Sequence, residues 1–334
     1  MEKRALVTGG CGFIGSNLTR ELVSQGWTVD IVDDMSNGHL ELLEGLSFRV
    51  IPSSEFLDEF NKQSDRGQET VVVIQDDFAS SGIAYQISKK MYDVVFHQAA
   101  IPRVLFSVEN PSMTTNTNIG STVRLFEACV GNVERIVWAS SSSVYGGADL
   151  MPTSEDHPKD PKSPYAWQKS SIEDLSRVFC NLYDIDIVCL RYFNVFGPGQ
   201  YGDSPYSTAV SAWCNAVLNG LPLRSDGDGT QSRDLCYIDN VVQANILVAN
   251  RDENFEGQFY NIACGDRTTN NQILDFFRDK FPGIEVADSP WRPGDVMHTQ
   301  ADITRAREDF GYEPAVRIWE GLERTVKWWG IKDE

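Results

Sequence analysis

From residue 1 to about 190, short apolar runs alternate with longer stretches in which apolar residues recur at helical spacing. An apolar run of about four to eight residues bounded by turn residues is typical of a buried strand. Six runs are predicted to be strands, over residues 4–8, 28–32, 71–74, 93–97, 135–140 and 186–191. The polar and charged stretch 52–69 is predicted to be a surface insertion with a short helix. Strands that alternate with helices form a parallel, doubly wound sheet with helices on both faces, so the predicted fold class is α/β.

The pattern changes after Gly197, where glycine and proline become frequent. This composition predicts a smaller lobe rich in loops over the carboxyl edge of the sheet. The apolar run 258–263 is predicted to be a strand that returns to the main sheet, so that the lobe is interleaved with the sheet domain. We therefore predict a first domain over 1–190, with a later strand near 235–263 returning to it. The C-terminal lobe is predicted mainly over 191–334.

Composition and charge narrow the class of protein. With 334 residues, 41% hydrophobic and 23% charged, the chain has the composition of an ordinary soluble globular protein. It has no run of about 18 apolar residues and no leader pattern, so we expect neither a membrane span nor a signal peptide. A net charge of −19 argues against a nucleic-acid partner, because phosphate backbones are bound by basic patches.

The numbers and spacing of cysteine and histidine residues also bear on the class of protein. Seven scattered cysteines without a CxxC pair predict free thiols in a reducing compartment, so we expect a cytoplasmic protein. The four histidines lack metal-ligand spacing, and no metal is expected.

The first predicted strand runs into a loop with glycine at three positions, Gly9, Gly12 and Gly15, and then into a helix. This order binds the pyrophosphate of a dinucleotide, because the glycines permit the turn, the approach of the backbone to the phosphates and close helix packing. The second strand leads to Asp33, 18 residues after Gly15. A carboxylate there accepts both ribose hydroxyls of NAD and repels the 2′-phosphate of NADP, so the predicted cofactor is NAD.

A second group of polar residues carries candidate catalytic groups. Tyr165 and Lys169 are four residues apart at the start of a predicted helix and therefore share one helix face. A lysine ammonium beside a phenol favours the phenolate, which can act as a base. Four serines, at positions 140–143, lie at the end of the strand 135–140, and a serine there can hydrogen-bond the substrate hydroxyl that loses its proton. The alternative is an exposed helix pair without function, but the dinucleotide loop in the same chain favours catalysis.

These motifs resemble the extended short-chain dehydrogenase/reductase family. They are the glycine loop, the strand end His97-Gln98-Ala99-Ala100, the serine strand, Tyr165 with Lys169, and the segments 191–197, 228–234, 237–240 and 292–295. The resemblance covers nearly the whole chain and is strongest to UDP-sugar 4-epimerases, especially the UDP-N-acetylhexosamine type. It implies a Rossmann sheet that binds NAD and a C-terminal lobe that binds the substrate, a UDP-sugar.

The resemblance also implies which residues form the sites. Catalysis is assigned to Tyr165, Lys169 and Ser141. NAD binding is assigned to Gly9, Gly12, Phe13, Ile14, Gly15, Asp33, Asp34, Asn37, Asp77, Phe78, Gln98, Ala99, Ala100, Asn118, Tyr165, Lys169 and Tyr192. UDP-sugar binding is assigned to Ser142, Ser143, Asn194, Arg233, Arg292, Asp295 and Thr299.

Three of these assignments have alternatives, and one residue of the motifs is set apart. The carboxylate of Asp77 is expected to contact the adenine amine and the ring of Phe78 one face of the base, although Asp76 could be the acid instead. Asn118 could equally serve hydrogen bonding in the core. Thr299 could merely cap a helix. His97 is expected to be structural.

The implied reaction is reversible epimerisation at C4 of a UDP-sugar through a 4-keto intermediate, with NAD retained. Thr299 lies seven residues after Arg292, and the small side chain implies a pocket for UDP-GlcNAc and UDP-GalNAc that tolerates the unacetylated pair. A UDP-glucuronate 4-epimerase is the main rival, because the segment 293–296 also resembles that branch. Asn194 matches the hexosamine type better.

Other activities on the same scaffold receive less support. Dehydratases carry an Asp-Glu pair after the serine strand, where this chain has Ser142, Ser143 and Val144. A UDP-glucuronate decarboxylase has no positive signal. A regulator that binds NAD without chemistry is expected to lack Tyr165 or Lys169.

The resemblance also implies a homodimer formed by two long helices, predicted near 112–130 and 165–183. Five apolar side chains of these helices could serve either that interface or the core: Val123, Phe126, Ile172, Leu175 and Phe179.

Overall fold

A computed structural model describes residues 3–52, 69–202, 208–291 and 296–331. The strands are β1 (Arg4–Thr8), β2 (Thr28–Asp33), β3 (Phe48–Pro52), β4 (Val71–Gln75), β5 (Val94–His97), β6 (Arg135–Ser141), β7 (Asp186–Tyr192), β8 (Val195–Phe196), β9 (Leu223–Asp226), β10 (Ser232–Arg233), β11 (Cys236–Tyr237), β12 (Phe259–Ile262), β13 (Thr268–Thr269) and β14 (Val286–Ser289). The helices are α1 (Phe13–Ser24), α2 (Ser81–Ile87), α3 (Val104–Glu109), α4 (Pro111–Thr115), α5 (Thr122–Cys129), α6 (Pro164–Leu182), α7 (Ala209–Leu218), α8 (Ile238–Ala249), α9 (Asn270–Lys280), α10 (Thr304–Phe310) and α11 (Ile318–Trp328).

Eight strands form one sheet in the order β12-β7-β6-β5-β1-β2-β4-β3. The pairs β1–β2, β1–β5, β2–β4, β3–β4 and β5–β6 are parallel. The predicted doubly wound sheet is confirmed, and it contains all six predicted strands and the returning strand β12. Strands such as β4 and β5 are buried almost throughout, which explains their near-continuous apolar sequences.

One strand of this sheet, β3, is missing from the sequence prediction. It pairs with β4 at the edge of the sheet and is only partly buried, with Val50 39% exposed. An edge strand has a partner on one side only, and its sequence therefore lacks a continuous apolar run. The predicted insertion 52–69 lies outside the described residues, apart from its two end residues.

The two long predicted helical stretches are present. Helix α6 begins at Pro164, whose missing N–H costs no hydrogen bond in the first turn, and the hydroxyl of Ser163 accepts from the N–H of Ala166. The other stretch consists of α4 and α5, joined by a wider turn of the π type over Asn116–Ser121. Such turns occur often at functional sites, because they reorient side chains within a helix.

The five apolar side chains that had two possible roles lie in or against the core. Phe126, Ile172 and Phe179 are buried in the main apolar cluster, and Val123 and Leu175 pack against it while partly buried. The rings of Phe126 and Phe179 meet edge to face at a centroid distance of 5.6 Å. Their burial is therefore explained without an interface.

The chain divides into two compact units. The first comprises Met1–Ser140, Ser163–Leu190 and Ala244–Phe259, and the second Ser141–Lys162, Arg191–Gln243 and Tyr260–Glu334. Among the described residues, no helix has both the length and the apolar content needed to cross a bilayer.

Candidate active site

In the glycine loop of the first unit, two glycines lie so close to neighbouring backbone that no side chain fits. Gly9 has φ +69°, and a Cβ added there would lie 2.9 Å from the backbone of Ala99. A Cβ on Gly15 would lie 2.2 Å from the carbonyl oxygen of Gly9. Helix α1 starts directly after Gly12 without a side-chain cap, so the N–H groups of Phe13 and Ile14 have no intrahelical acceptor. These features fit the pyrophosphate of a dinucleotide.

The carboxylate of Asp33 connects this loop to the end of β2. Its Oδ2 accepts from the N–H of Cys11 at 3.0 Å, and its Oδ1 accepts from the N–H of Met35 at 3.0 Å. Burial raises the pKa of Asp33, and these two hydrogen bonds oppose the rise. The neighbouring Asp34 and Asn37 are exposed, as ligand-facing loop residues can be.

At the end of β4 the two candidate acids have different surroundings. Asp76 is engaged by its neighbours, since it accepts from the N–H of Asp77 at 2.8 Å and from the hydroxyl of Ser80 at 2.6 Å. Asp77 is exposed and accepts from the N–H of Ala79 at 2.8 Å. This arrangement favours Asp77 over Asp76 as the acid available to a ligand.

Phe78 follows Asp77 at the end of β4. Its side chain is 8% exposed and lies in the main apolar cluster, with its ring 4.8 Å from that of His97. The contact of this ring with adenine stays a prediction.

At the end of β5, two buried threonine hydroxyls hydrogen-bond the ring of His97. Thr8 Oγ1 lies 2.7 Å from Nδ1 of His97, and Thr122 Oγ1 lies 3.0 Å from Nε2. Burial lowers the pKa of His97 to about 3, so the ring is neutral and has a structural role. The N–H of Ala99 donates to Thr8 Oγ1 at 3.1 Å. This hydrogen bond connects the segment after β5 to the end of β1, where the glycine loop begins.

The residues next to His97 have different environments. The amide of Gln98 donates to Asn245 Oδ1 at 3.1 Å. Ala99 and Ala100 are partly buried.

The side chain of Asn118 is used entirely within the first unit. Its Oδ1 accepts from the N–H of Ile101 at 2.8 Å, and its Nδ2 donates to the carbonyl of Ile101 at 3.1 Å and to Gln168 Oε1 at 2.7 Å. Gln168 in turn donates to the hydroxyls of Thr114 and Thr115, both at 3.0 Å. This network fixes the start of α6 to the segment after β5.

Helix α6 presents the tyrosine–lysine pair. The N–H of Tyr165 donates to Ser107 Oγ at 3.1 Å, and the side chain of Tyr165 is 8% exposed. Lys169 Nζ donates to the carbonyl of Ala139 at 2.6 Å and lies 5.8 Å from the centroid of the Tyr165 ring and 4.6 Å from that of Trp138. Burial lowers the pKa of Lys169 to about 7, so its charge responds to small changes in its surroundings.

The serines at the end of β6 have separate functions. Ser140 is buried, and its hydroxyl donates to Glu173 Oε1 at 2.6 Å. Ser141, Ser142 and Ser143 are partly buried, and Ser141 Oγ accepts from the N–H of Ser143 at 3.2 Å. The buried hydroxyl of Ser143 has no hydrogen-bond partner among the described residues, which suits a group awaiting a ligand.

In the second unit, the side chains of Asn194 and Thr299 hydrogen-bond each other, and both hydrogen-bond the backbone of Asp234. Asn194 has φ +34°, and its Nδ2 donates to the carbonyl of Asp234 at 2.9 Å and to Thr299 Oγ1 at 3.1 Å. Thr299 Oγ1 also accepts from the N–H of Asp234 at 3.2 Å. Thr299 does not cap a helix, because α10 begins five residues later at Thr304.

The remaining candidates complete the second unit. Arg233 directs Nη1 to the carbonyls of Ser232 and Met297, at 3.0 and 3.1 Å. Tyr192 is buried at the end of β7. Arg292 and Asp295 lie outside the described residues.

Three polar residues with central positions were not predicted. Asp234 accepts from the N–H groups of Cys264, Gly265 and Ala301 at 2.9, 3.1 and 3.0 Å. Gln168 and Glu173 are buried polar residues of α6. The available signal was positional: Asp234 directly follows Arg233, and Glu173 lies four residues after Lys169.

Comparison with known proteins agrees with this geometry. The profile of the NAD dependent epimerase/dehydratase family matches residues 5–263. A UDP-glucose 4-epimerase of Mycolicibacterium smegmatis is 33% identical over 336 residues, covering 99% of this chain and 100% of the relative. A UDP-glucuronate 4-epimerase of Thermodesulfobacterium geofontis is 31% identical over 328 residues, covering 97% and 95%.

A solved structure gives the same result. A UDP-N-acetylglucosamine 4-epimerase from Methanobrevibacter ruminantium, in complex with UDP-N-acetylmuramic acid, is 35% identical, with a TM-score of 0.86 and 98% of both chains covered. The chain therefore belongs to the NAD-dependent epimerase/dehydratase family of extended short-chain dehydrogenases/reductases, with NAD as its cofactor.

Proposed function

We propose that this enzyme catalyses reversible epimerisation at C4 of a UDP-sugar. The observation that carries the proposal is the buried Tyr165–Lys169 pair in the NAD-binding unit, with Lys169 anchored to Ala139. The absence of an Asp-Glu pair after Ser141 in the sequence favours epimerisation over dehydration.

Each catalytic residue has its own proposed role in the reaction. Tyr165, as the phenolate, takes the proton of the 4-hydroxyl, and Ser141 hydrogen-bonds the same oxygen. Lys169 stabilises the phenolate by its charge. NAD, when bound, supplies the acceptor and donor of hydride for C4. Tyr165 finally returns the proton to the same oxygen.

Epimerisation requires the 4-keto sugar to turn over while its nucleotide stays bound. Asn194, Arg233 and Arg292 are proposed to anchor the UDP end, with Asp295 on the uridine ribose. A guanidinium suits a diphosphate because it forms bidentate hydrogen bonds. Ser142 and Ser143 are proposed to contact the sugar, and the unpartnered hydroxyl of Ser143 supports this.

The proposed substrates are UDP-GlcNAc and UDP-GalNAc, with UDP-glucose and UDP-galactose tolerated. The small side chain of Thr299 supports room for an N-acetyl group, and so does the similarity to a UDP-N-acetylglucosamine 4-epimerase. UDP-glucuronate is the second candidate, supported by the 31% identity to a UDP-glucuronate 4-epimerase.

The activity test uses purified enzyme with each UDP-sugar and product analysis by NMR. We expect C4 epimers, a slight NADH absorbance and no bulk consumption of added NAD. Tyr165→Phe should lose about 10²–10⁴-fold in kcat, because the proton acceptor is gone. Tyr183→Phe, an exposed tyrosine after α6, is the matched control. Retention of more than a few per cent of activity by Tyr165→Phe would refute the role of Tyr165.

The substrate test compares Thr299→Tyr with Thr299→Val on UDP-GlcNAc, UDP-glucose and UDP-glucuronate. The valine variant removes the hydroxyl that accepts from Asn194 while keeping the size. The tyrosine variant should lose UDP-GlcNAc and keep UDP-glucose. Equal loss of both, or wild-type preference for UDP-glucuronate, would reject the size argument.

We also propose a homodimer formed through the two long helical stretches. Because Phe126, Ile172 and Phe179 are buried in the core, the proposed interface draws on other side chains. Helix α6 offers the exposed Trp167, Val178 and Leu182. Sedimentation as a monomer at micromolar concentration would reject the dimer.

A further inference from the structure

Glu173 is a fully buried carboxylic acid that the chemistry proposed above does not use. It lies in α6 one helical turn after Lys169, and the hydroxyl of Ser140 donates to its Oε1 at 2.6 Å. The carbonyl that holds Lys169 Nζ, at 2.6 Å, belongs to Ala139. The ammonium and the carboxylate of one helix are therefore attached to consecutive residues of one strand, β6.

A buried carboxylate is costly unless hydrogen bonds and opposite charge offset its lost hydration. The groups that interact electrostatically with Lys169 come from three elements: Glu173 from its own helix, His97 from β5 and Cys189 from β7, with the Tyr165 ring also beside it. His97 is neutral, because its pKa is lowered to about 3. Cys189, which is fully buried, and Glu173 both favour the charged form of Lys169, and Glu173 is the carboxylic acid of the two.

We propose that Glu173 is a positioning residue for Lys169, which keeps the ammonium charged and aligned with the carbonyl of Ala139 so that it can stabilise the Tyr165 phenolate. The inference rests on the function proposed for Tyr165 and Lys169. An opposite charge favours the ammonium, so removing the carboxylate lowers the pKa of Lys169. The fraction of charged Lys169 then falls, and it falls most at alkaline pH.

The test is Glu173→Gln, which keeps the shape and an acceptor for Ser140. NMR of lysine-labelled protein, with the resonance assigned by Lys169→Met, should show the pKa of Lys169 lowered by about one unit. From a starting pKa of about 7, kcat should then fall about tenfold near pH 8 and about twofold near pH 6. KM for the UDP-sugar should not change.

Two variants serve as controls. Asp174→Asn makes the same change of charge at the next residue, which is exposed, and should leave the pKa of Lys169 unchanged. Glu173→Asp keeps the charge and should restore most of the activity at alkaline pH.

An unchanged Lys169 pKa in Glu173→Gln, or a loss of kcat equal at every pH, would overturn the proposal. Should Glu173→Gln not fold, an alkaline loss in Glu173→Asp as deep as about tenfold would overturn it and a smaller loss would support it. If the wild type converted no UDP-sugar, the proposed function would fail, while the NMR titration would still decide the role of Glu173.

Discussion

Lys169 in the first unit and Asp234 in the second are both buried, and the same physical cause moves them in opposite directions. Burial lowers the pKa of Lys169 from 10.5 to about 7 and raises the pKa of Asp234 from 3.8 to about 7. In each case the charged form loses hydration that the protein replaces only in part. Both side chains are therefore close to the point at which a proton binds or leaves at neutral pH.

Their partners make the two groups useful for different tasks. Lys169 donates to the carbonyl of Ala139 and lies beside two aromatic rings, with Glu173 one helical turn away, so a change of its charge acts close to Tyr165. Asp234 accepts from backbone N–H groups of two chain segments, 264–265 and 301, and its own backbone contacts Asn194 and Thr299. A change at Asp234 therefore disturbs several segments at once. The first arrangement suits proton chemistry, and the second suits the positioning of binding residues.

The largest expected effect is the loss of kcat when Lys169 is replaced. Lys169→Met should lower kcat about 10³-fold, because the phenolate loses its stabilising charge, while KM for the UDP-sugar changes little. The melting temperature should fall, because the buried carboxylate of Glu173 loses its opposite charge and the carbonyl of Ala139 loses its donor. Steady-state kinetics and thermal melting measure both effects, with the exposed Lys89→Met as control. A change confined to KM would contradict the division of tasks.

A smaller effect is expected from the aspartate. Asp234→Asn replaces an acceptor oxygen by an amide N–H₂ that faces N–H donors, so at least one buried donor loses its partner, at a cost of about 1–3 kcal/mol. Displacement of Asn194 and Thr299 should raise KM for the UDP-sugar about tenfold, with NAD affinity unchanged. Calorimetry with UDP and with NAD separates the two, and Asp266→Asn, at an exposed neighbour, is the control. An equal loss of both affinities would show a general defect in folding.

The smallest effect is a pair of opposite pH dependences. At Asp234 the folded state binds more protons than the unfolded state between pH 3.8 and about 7. The free energy of unfolding therefore decreases as pH rises, and this loss is complete above about pH 7. At Lys169 the unfolded state binds more protons between about pH 7 and 10.5, so stability increases with pH over that range. From about pH 6 to pH 8 each contribution amounts to about 1.4 kcal/mol, and the two cancel in the wild type.

The variants should separate these contributions. As pH rises from about 6 to about 8, the melting temperature of the wild type should stay constant. Over the same rise, the melting temperature of Lys169→Met should fall by roughly 3 °C and that of Asp234→Asn should increase by roughly 3 °C. Burial is the largest cause of the lowered pKa of His97, which is about 3, so His97 remains neutral between about pH 6 and pH 8 in all three proteins and cancels in the comparison. Parallel melting curves for the three proteins would show that these groups do not titrate in this range.

Much of the sheet and of the cofactor site follows from the sequence, because short-range geometry determines it. A strand, a glycine loop and a helix within residues 4–24 can form only a few structures, and glycine is required where a Cβ would meet backbone, as at Gly9 and Gly15. The spacing of Tyr165 and Lys169 places them on one face of any helix. The apolar runs of buried parallel strands are equally local.

The tertiary structure alone decided which polar groups meet and which apolar groups are buried. Ser140 meets Glu173 across 33 residues, and Asp234 meets Cys264 and Ala301 across 30 and 67. The ring of Phe78 lies in the main apolar cluster for the same reason. Periodicity shows that a residue faces inward but not what it meets there, because that depends on how distant segments pack. The sequence by itself therefore determined the elements and the spacing of the catalytic pair, and packing determined the charges and hydrogen bonds that surround them.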